Sequence, residues 1–382
     1  MKKIYIVICF ILLIIPRCSP LALELLNGAK SGVLLEASTG ETLYEKNKDE
    51  KVSIASLTKM VAQIIILEKI EEGTLKWDDI VTTSSNAAGM GGTQIWLVAG
   101  EKMSVEDLFK SMTMASANDA TVALAEKVAG TEEAFVKLMN DKVKSLGLVN
   151  TTFVNCTGFD EEGHLSTAYD LGQIARELLK HDEILRFSSV YEDYIRKDTP
   201  NKYWLVNTNK LVRFYSGADG LKTGFTDSAG YTMAVTAERD NMRLIAIVLG
   251  EASGKARNQE ATDLLDYGFN TYKVDLLNKK NEVVKELEIE KGNKSRVNAI
   301  LKHDVSILRK KSDAGINYDT SVKINDIRLP LKKGDVVGKL EVLDNGNVIK
   351  SEDLIIDEDV SKINYFKHLY NSFKNIISGN FI

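Results

Sequence analysis

Apolar and polar positions change their pattern several times along this chain. Val33-Leu34-Leu35 and Thr42-Leu43-Tyr44 flank the turn-forming cluster Ser38-Thr39-Gly40, which predicts a β-hairpin over Ser31–Tyr44. Met60, Val61, Ile64, Ile65 and Leu67 spread over most sides of a helix that should begin near Ser56 and stop at Gly73. Such a helix is expected to be buried. Ser104 to Gly147 reads as a block of short helices. Ser104 can cap the first, Asn118 and Asp119 precede a second start, and Thr131-Glu132-Glu133 opens a third. A further helix is predicted from Ala168 to Leu179.

After Gly224 the period becomes that of strands. Tyr231–Thr236 and Leu244–Leu249 are rich in β-branched residues and are joined by the polar stretch Glu238–Asn241, which predicts an antiparallel pair. Ala256–Tyr272 returns to helix. From Lys273 to Asp359 the chain is lysine-rich and strand-like, and Asn345-Gly346 between alternating residues is a hairpin signal. Ile363, Phe366, Leu369, Tyr370, Phe373, Ile376 and Ile377 then recur at helical spacing, with Lys362, Lys367 and Lys374 between them and no acid after Asp359. A basic face beside an aromatic one suits a helix lying in a membrane surface.

Composition adds limits. With 44% apolar and 27% charged residues over 382 positions, the chain is an ordinary globular protein of more than one domain. Its net charge of -5 offers no basic stripe, so no nucleic-acid partner is expected. Lys2 and Lys3 precede an apolar run, Ile4–Ile15, broken by Pro16 and followed by small residues up to Ala22. This is the form of a secretory signal peptide, and the run is well short of the roughly 20 residues that a spanning helix needs. Export to the outer face of the cytoplasmic membrane follows. Cys9 and Cys18 fall in the segment to be removed, which leaves Cys156 without an internal partner and best read as a small buried residue.

Three short motifs carry the candidate chemistry. In Ser56-Leu57-Thr58-Lys59 the serine and lysine are three residues apart, so on one helical face Lys59 can reach the Ser56 hydroxyl. A serine needs a base to become a nucleophile, and a lysine loses its proton when burial disfavours the charge. A helix N-terminus adds free N–H groups for a developing oxyanion. Ser-x-x-Lys alone is common. Here Ser116-Ala117-Asn118 follows at a junction of helices, and Lys222-Thr223-Gly224 comes directly before the strand pair. The three in this order form a known signature of penicillin-interacting serine enzymes.

On these motifs the chain resembles the D-alanyl-D-alanine carboxypeptidases, the low-molecular-mass penicillin-binding proteins, of the type found in spore-forming bacteria. The likeness extends to Gly163-His164-Leu165-Ser166-Thr167-Ala168 and Asn207-Thr208-Asn209-Lys210-Leu211. It implies an α+β fold. A transpeptidase-like domain over residues 23–272, with an antiparallel sheet, flanking helices and a helical subdomain, would follow a signal peptide over 1–22. A small all-β domain over 273–359 and an amphipathic anchor helix over 360–382 would complete the chain. It also implies roles. Ser56 would be acylated by the stem peptide of peptidoglycan, with Lys59 as general base and Ser116 relaying the proton with Lys222. Asn118 would hold the peptide, and Thr223 and Arg257 would bind its terminal carboxylate. Gly224 would leave room for a substrate strand, and the N–H groups of Ser56 and Phe225 would form an oxyanion hole. β-Lactams would be covalent inhibitors.

The chain departs from the family pattern at Phe225, where histidine is frequent, and at Cys156, where Asn-Pro is usual. Cys156 touches no assigned role in this reading. No metal and no cofactor are expected, since no cysteine–histidine cluster or phosphate loop is present. His164 reads as a loop-fixing residue rather than a base. Glu161 and Glu162 keep a β-lactamase open as the rival enzyme, and a non-catalytic penicillin-binding wall protein is the rival outside enzymes.

Overall fold

The computed structural model describes residues 24–313 and 318–363. The leader expected over residues 1–22 lies outside the described residues, and so does the expected tail helix beyond Ile363. Ser361–Ile363 themselves are not helical, and Lys362 bridges Gly292.

The predicted hairpin is present as β1 (Ser31–Glu36) and β2 (Thr42–Lys46). The chain then runs through a 3-10 turn, Ala55–Thr58, into α1 (Lys59–Glu71). Ser56 therefore sits one turn before the α-helix proper, where the sequence placed its start. Lys59 to Leu67 are all buried, so α1 is a central helix with no solvent face along its first half.

Shorter elements wrap it. They are β3 (Ile80–Thr82), α2 (Ser85–Ala88), β4 (Lys102–Ser104), α3 (Val105–Met114), α4 (Asn118–Ala129), α5 (Glu132–Ser145), α6 (Ala168–Leu178) and α7 (Glu183–Ser188). β5 (Glu192–Ile195), β6 (Tyr203–Val206) and α8 (Leu211–Phe214) close the block. The capping prediction holds where a hydroxyl stood at the right place. Ser104 accepts from the Asp107 N–H and Thr131 from Ala134; Thr167, which the sequence reading did not single out, likewise accepts from Asp170. Each such cap contributes about 1 kcal/mol.

β7 (Ala218–Thr226), β8 (Gly230–Arg239) and β9 (Met242–Glu251) follow, then α9 (Gly254–Thr271). Five strands pair antiparallel in the order β2-β1-β9-β8-β7. The period-2 pattern divides this sheet between two cores. Val33, Leu35, Ile245, Ile247 and Leu249 face the helical block, and Leu34, Leu244, Ala246 and Val248 face α9. A slip of one residue would exchange these sets, so the pattern fixes the register. Lys222-Thr223-Gly224 lies within β7, at the sheet's edge, rather than ahead of the strands.

From Tyr272 the regular elements among the described residues are all strands. β10 (Tyr272–Asn278) pairs with β13 (Val305–Lys310). β11 (Val283–Glu288), β12 (Arg296–Leu301), β14 (Asp319–Ile324), β15 (Val336–Asp344) and β16 (Asn347–Ile356) form a second five-stranded sheet over a core of its own. Asn345-Gly346 turns β15 into β16, with Asp344 opposite Asn347. Val274 and Leu308 pack on the α9 core, and the Lys311 ammonium donates to the Phe269 carbonyl. No helix among the described residues is long and apolar enough to cross a membrane.

Candidate active site

The nucleophile turn is built under constraint. Ala55 has φ +50, in the left-handed region that a residue with a Cβ seldom adopts. Its carbonyl accepts from the Thr58 hydroxyl at 2.8 Å. Two glycines press against the turn. A Cβ on Gly158 would stand 2.0 Å from the Ala55 carbonyl oxygen, and one on Gly224 would stand 2.9 Å from the Ser56 nitrogen. Gly224 is thus needed for the close approach of β7 to the Ser56 backbone.

Lys59 is fully buried, and its ammonium has three neighbours in place. It lies 2.9 Å from Ser56 Oγ, 2.7 Å from Asn118 Oδ1 and 2.7 Å from the Thr157 carbonyl. Desolvation pulls its pKa down to about 7, against weak opposition from Cys156. An amine with its pKa near 7 has a substantial neutral fraction at neutral pH, and in that form it can accept the Ser56 proton while still donating to Asn118 and Thr157. Cys156 is itself buried and its thiol is pushed well above its usual range by burial and by Glu132. Sequence reading left Cys156 outside the site, whereas the fold puts it within the electrostatic surroundings of Lys59.

Ser116 stands before α4 with φ +64 and is buried. The Asn118 amide is engaged at both ends, taking Lys59 on Oδ1 and donating through Nδ2 to the Gly91 carbonyl at 2.9 Å. Asp119, fully buried, receives the N–H groups of Ile95, Leu97 and Ala120. Asn118 and Asp119 together hold the Gly91–Leu97 segment along the cleft. Neither the Asp119 clamp nor the Thr157 carbonyl was visible in the sequence. The only hint was the acid beside the second motif.

β7 forms the opposite wall. Lys222 is fully buried, and burial, followed by the charges of Lys59 and Arg257, drives its pKa well below the usual lysine range. Its ammonium donates to the Thr223 carbonyl at 2.8 Å. Thr223 Oγ1 donates to Thr208 Oγ1 at 2.7 Å, which gives the Asn207-Thr208-Asn209 segment a place at the cleft. Phe225 is exposed, with its ring 4.4 Å from that of its cross-strand partner Tyr231. Arg257, on the first turns of α9, is buried, and desolvation lowers it to about 10. It bonds the Asn258 side chain and lies close enough to Lys222 to depress it.

The structure brings Ser56, Lys59 and Asn118 into direct contact and sets Gly224 against the Ser56 turn, with Lys222 within electrostatic reach of Lys59 and Arg257; Ser116 lies two residues before Asn118, and Thr223 and Phe225 lie beside Gly224 on β7. Glu161 and Glu162 are exposed, and Glu161 accepts from Asn155. No group of three or more His, Cys, Asp or Glu arranged for a metal occurs among the described residues.

The chain is similar to known proteins over most of its length. The family described as D-alanyl-D-alanine carboxypeptidase matches residues 23–253, and the one described as the C-terminal domain of penicillin-binding protein 5 matches residues 272–362. D-alanyl-D-alanine carboxypeptidase DacF of Bacillus subtilis is 43% identical over 347 residues, covering 91% of this chain and 89% of the relative. The crystal structure of penicillin-binding protein 5 from Haemophilus influenzae superposes with a TM-score of 0.71 at 30% identity, over 88% of this chain and 98% of that one. Penicillin-binding protein D2 of Listeria monocytogenes, solved with ampicillin bound, is 34% identical with a TM-score of 0.57, over 63% of this chain and 97% of that one.

Proposed function

The chain belongs to the D-alanyl-D-alanine carboxypeptidase family and has that activity as a serine hydrolase; from this premise we propose how its own residues divide the work. The observation that carries the proposal is the buried Lys59 Nζ, 2.9 Å from Ser56 Oγ, with desolvation lowering its pKa to about 7.

Ser56 Oγ attacks the carbonyl between the two terminal D-alanines of a peptidoglycan stem pentapeptide. Lys59 takes the proton as the new C–O bond forms. The oxyanion is held by the N–H groups of Ser56 and Phe225. Collapse of the tetrahedral adduct breaks the C–N bond, and Ser116 passes a proton to the departing amine, with Lys222 beside it. Thr223 and Arg257 take the terminal carboxylate. Asn118 fixes Lys59 and presents its amide to the peptide backbone. The donor lies along β7 as an added strand, which fits an edge strand with room for one more. Water then attacks the ester and frees Ser56. A β-lactam acylates the same serine.

Ser56→Ala should release no D-alanine from a pentapeptide and take no label from a fluorescent penicillin, while wild type does both. Rapid penicillin turnover by wild type with no D-alanine release would favour a β-lactamase instead.

The division into a signal peptide over 1–22, a catalytic domain over 23–272, a β domain over 273–359 and an anchor helix over 360–382 belongs to the same reading. It places an exported enzyme on the outer face of the cytoplasmic membrane, with the β domain as a spacer. The lysines and aromatic residues after Asp359 support this. A chain ending at residue 360 should leave the membrane fraction. Continued sedimentation with membranes would rule the anchor out.

A further inference from the structure

His164 is buried and takes no part in the steps above. Its surroundings form a chain of hydrogen bonds with one direction. The Val154 N–H donates to Nδ1 at 3.2 Å, so Nδ1 carries no proton and Nε2 does. Nε2 lies 2.7 Å from Thr58 Oγ1, and the Thr58 hydroxyl in turn donates to the Ala55 carbonyl at 2.8 Å. Every donor and acceptor along this path agrees with a neutral ring. Burial lowers the imidazole to about 4, against Glu161 and Asp160 and with help from Lys59. The proton on Nε2 faces Thr58, so the ring cannot serve as a base toward Ser56.

The path links two things that matter to the chemistry. At one end is the nucleophile turn, with Ala55 at positive φ directly before Ser56. At the other is the loop closed by the Thr152–Leu165 bridge, whose Thr157 carbonyl is one of the three partners of Lys59. Gly158 lies against Ala55, so loop and turn touch there but exchange no side-chain bond at that point. Besides the bond from Lys59 to the Thr157 carbonyl, the Thr58–His164 contact is a side-chain bond that ties the turn to the loop, and it is the one that does not involve the base itself.

We propose that His164 is a positioning residue for acyl transfer: through Thr58 it locks the 154–164 loop onto the nucleophile turn and so sets the Thr157 carbonyl that orients Lys59. This rests on the roles given above to Ser56 and Lys59. Without the lock, the loop withdraws, Lys59 loses an acceptor and water reaches its amine. Groups facing Lys59 from packed elements are Lys222, Cys156 and His164 itself, and none of these replaces the lost carbonyl.

The test compares wild type with His164→Ala, His164→Gln and Thr58→Val, measuring D-alanine release and penicillin acylation across pH together with thermal unfolding. His164→Ala should lower kcat and acylation by about tenfold or more with KM little changed, because a misplaced base costs rate rather than binding. The rising limb of rate against pH should move up by about one pH unit as Lys59 becomes hydrated. Glutamine can accept from Val154 and donate to Thr58, so His164→Gln should recover most of the rate. Thr58→Val should reproduce the loss, and the Ala/Val double variant should be no worse than either single one.

An active His164→Ala, or a loss that follows lowered thermal stability with the pH limb unmoved, would overturn the proposal while leaving Ser56 and Lys59 in their roles. A wild type that neither releases D-alanine nor takes penicillin would overturn those roles too, and this inference with them.

Discussion

Residues 24–271 and 272–363 are both closed by apolar cores, but they treat polar groups in opposite ways. The first region buries Lys59, Lys222, Arg257, Asp119, Asp170 and His164 along with many hydroxyls and amides, while Ser306 is the sole polar residue buried among the described residues of the second. Charged groups of the β region stay in or near solvent, as in the Lys323–Glu341 pair across β14 and β15. Burying an ion costs several kcal/mol unless partners compensate. A chain carries that cost where chemistry needs a shifted pKa and omits it where only a body is needed. The contrast supports the proposal that one region is the machine and the other its support, with no reference to motifs.

Three changes test the contrast, from the largest effect to the smallest. Lys59→Ala should cut penicillin acylation by about 1000-fold at neutral pH, as removal of a general base does. An acylation rate within tenfold of wild type would break the link between buried charge and chemistry. Asp119→Ala leaves the N–H groups of Ile95, Leu97 and Ala120 without their shared acceptor. It should lower the unfolding free energy by about 4 kcal/mol in denaturant titrations, and reduce activity as the Gly91–Leu97 wall loosens. Leu354, fully buried in the β core, should cost about 3 kcal/mol as Leu354→Ala. D-alanine release at 25 °C should be unchanged in that variant. A fall in kcat there would mean that the β region acts on the cleft and is more than support.

Much of this was legible from residues alone, for identifiable reasons. Ser56, Lys59, Ser116, Asn118, Lys222 and Thr223 lie in three short runs, and each run keeps its internal spacing wherever the fold carries it. Helix starts could be read at Ser104 and Thr131, since a cap is a local bond. What could not be read depends on contacts between distant segments. The Ser56 turn is 3-10 rather than α, and the close approach of Gly158 and Gly224 to it comes from positions about 100 and 170 residues away. Cys156 looked inert because nothing in its neighbourhood along the chain reveals that Lys59 lies beside it. Gly224 was assigned to substrate access, and only the fold shows its α-carbon turned toward the Ser56 amide.

One partner of Lys59 has a further consequence. The acceptor at Thr157 is a main-chain carbonyl, while its hydroxyl donates to Asn155 instead. A carbonyl is supplied by every residue type, so no codon change at position 157 can delete it. Variants selected under antibiotic pressure could therefore change this residue to any that fits the same buried space and still keep the contact. Escape by this route would have to come from insertions, deletions or substitutions at glycines that move the loop as a whole. A scan of single substitutions at Thr157 would therefore report the burial of its side chain and its hydroxyl bond to Asn155, and not the carbonyl on which Lys59 rests.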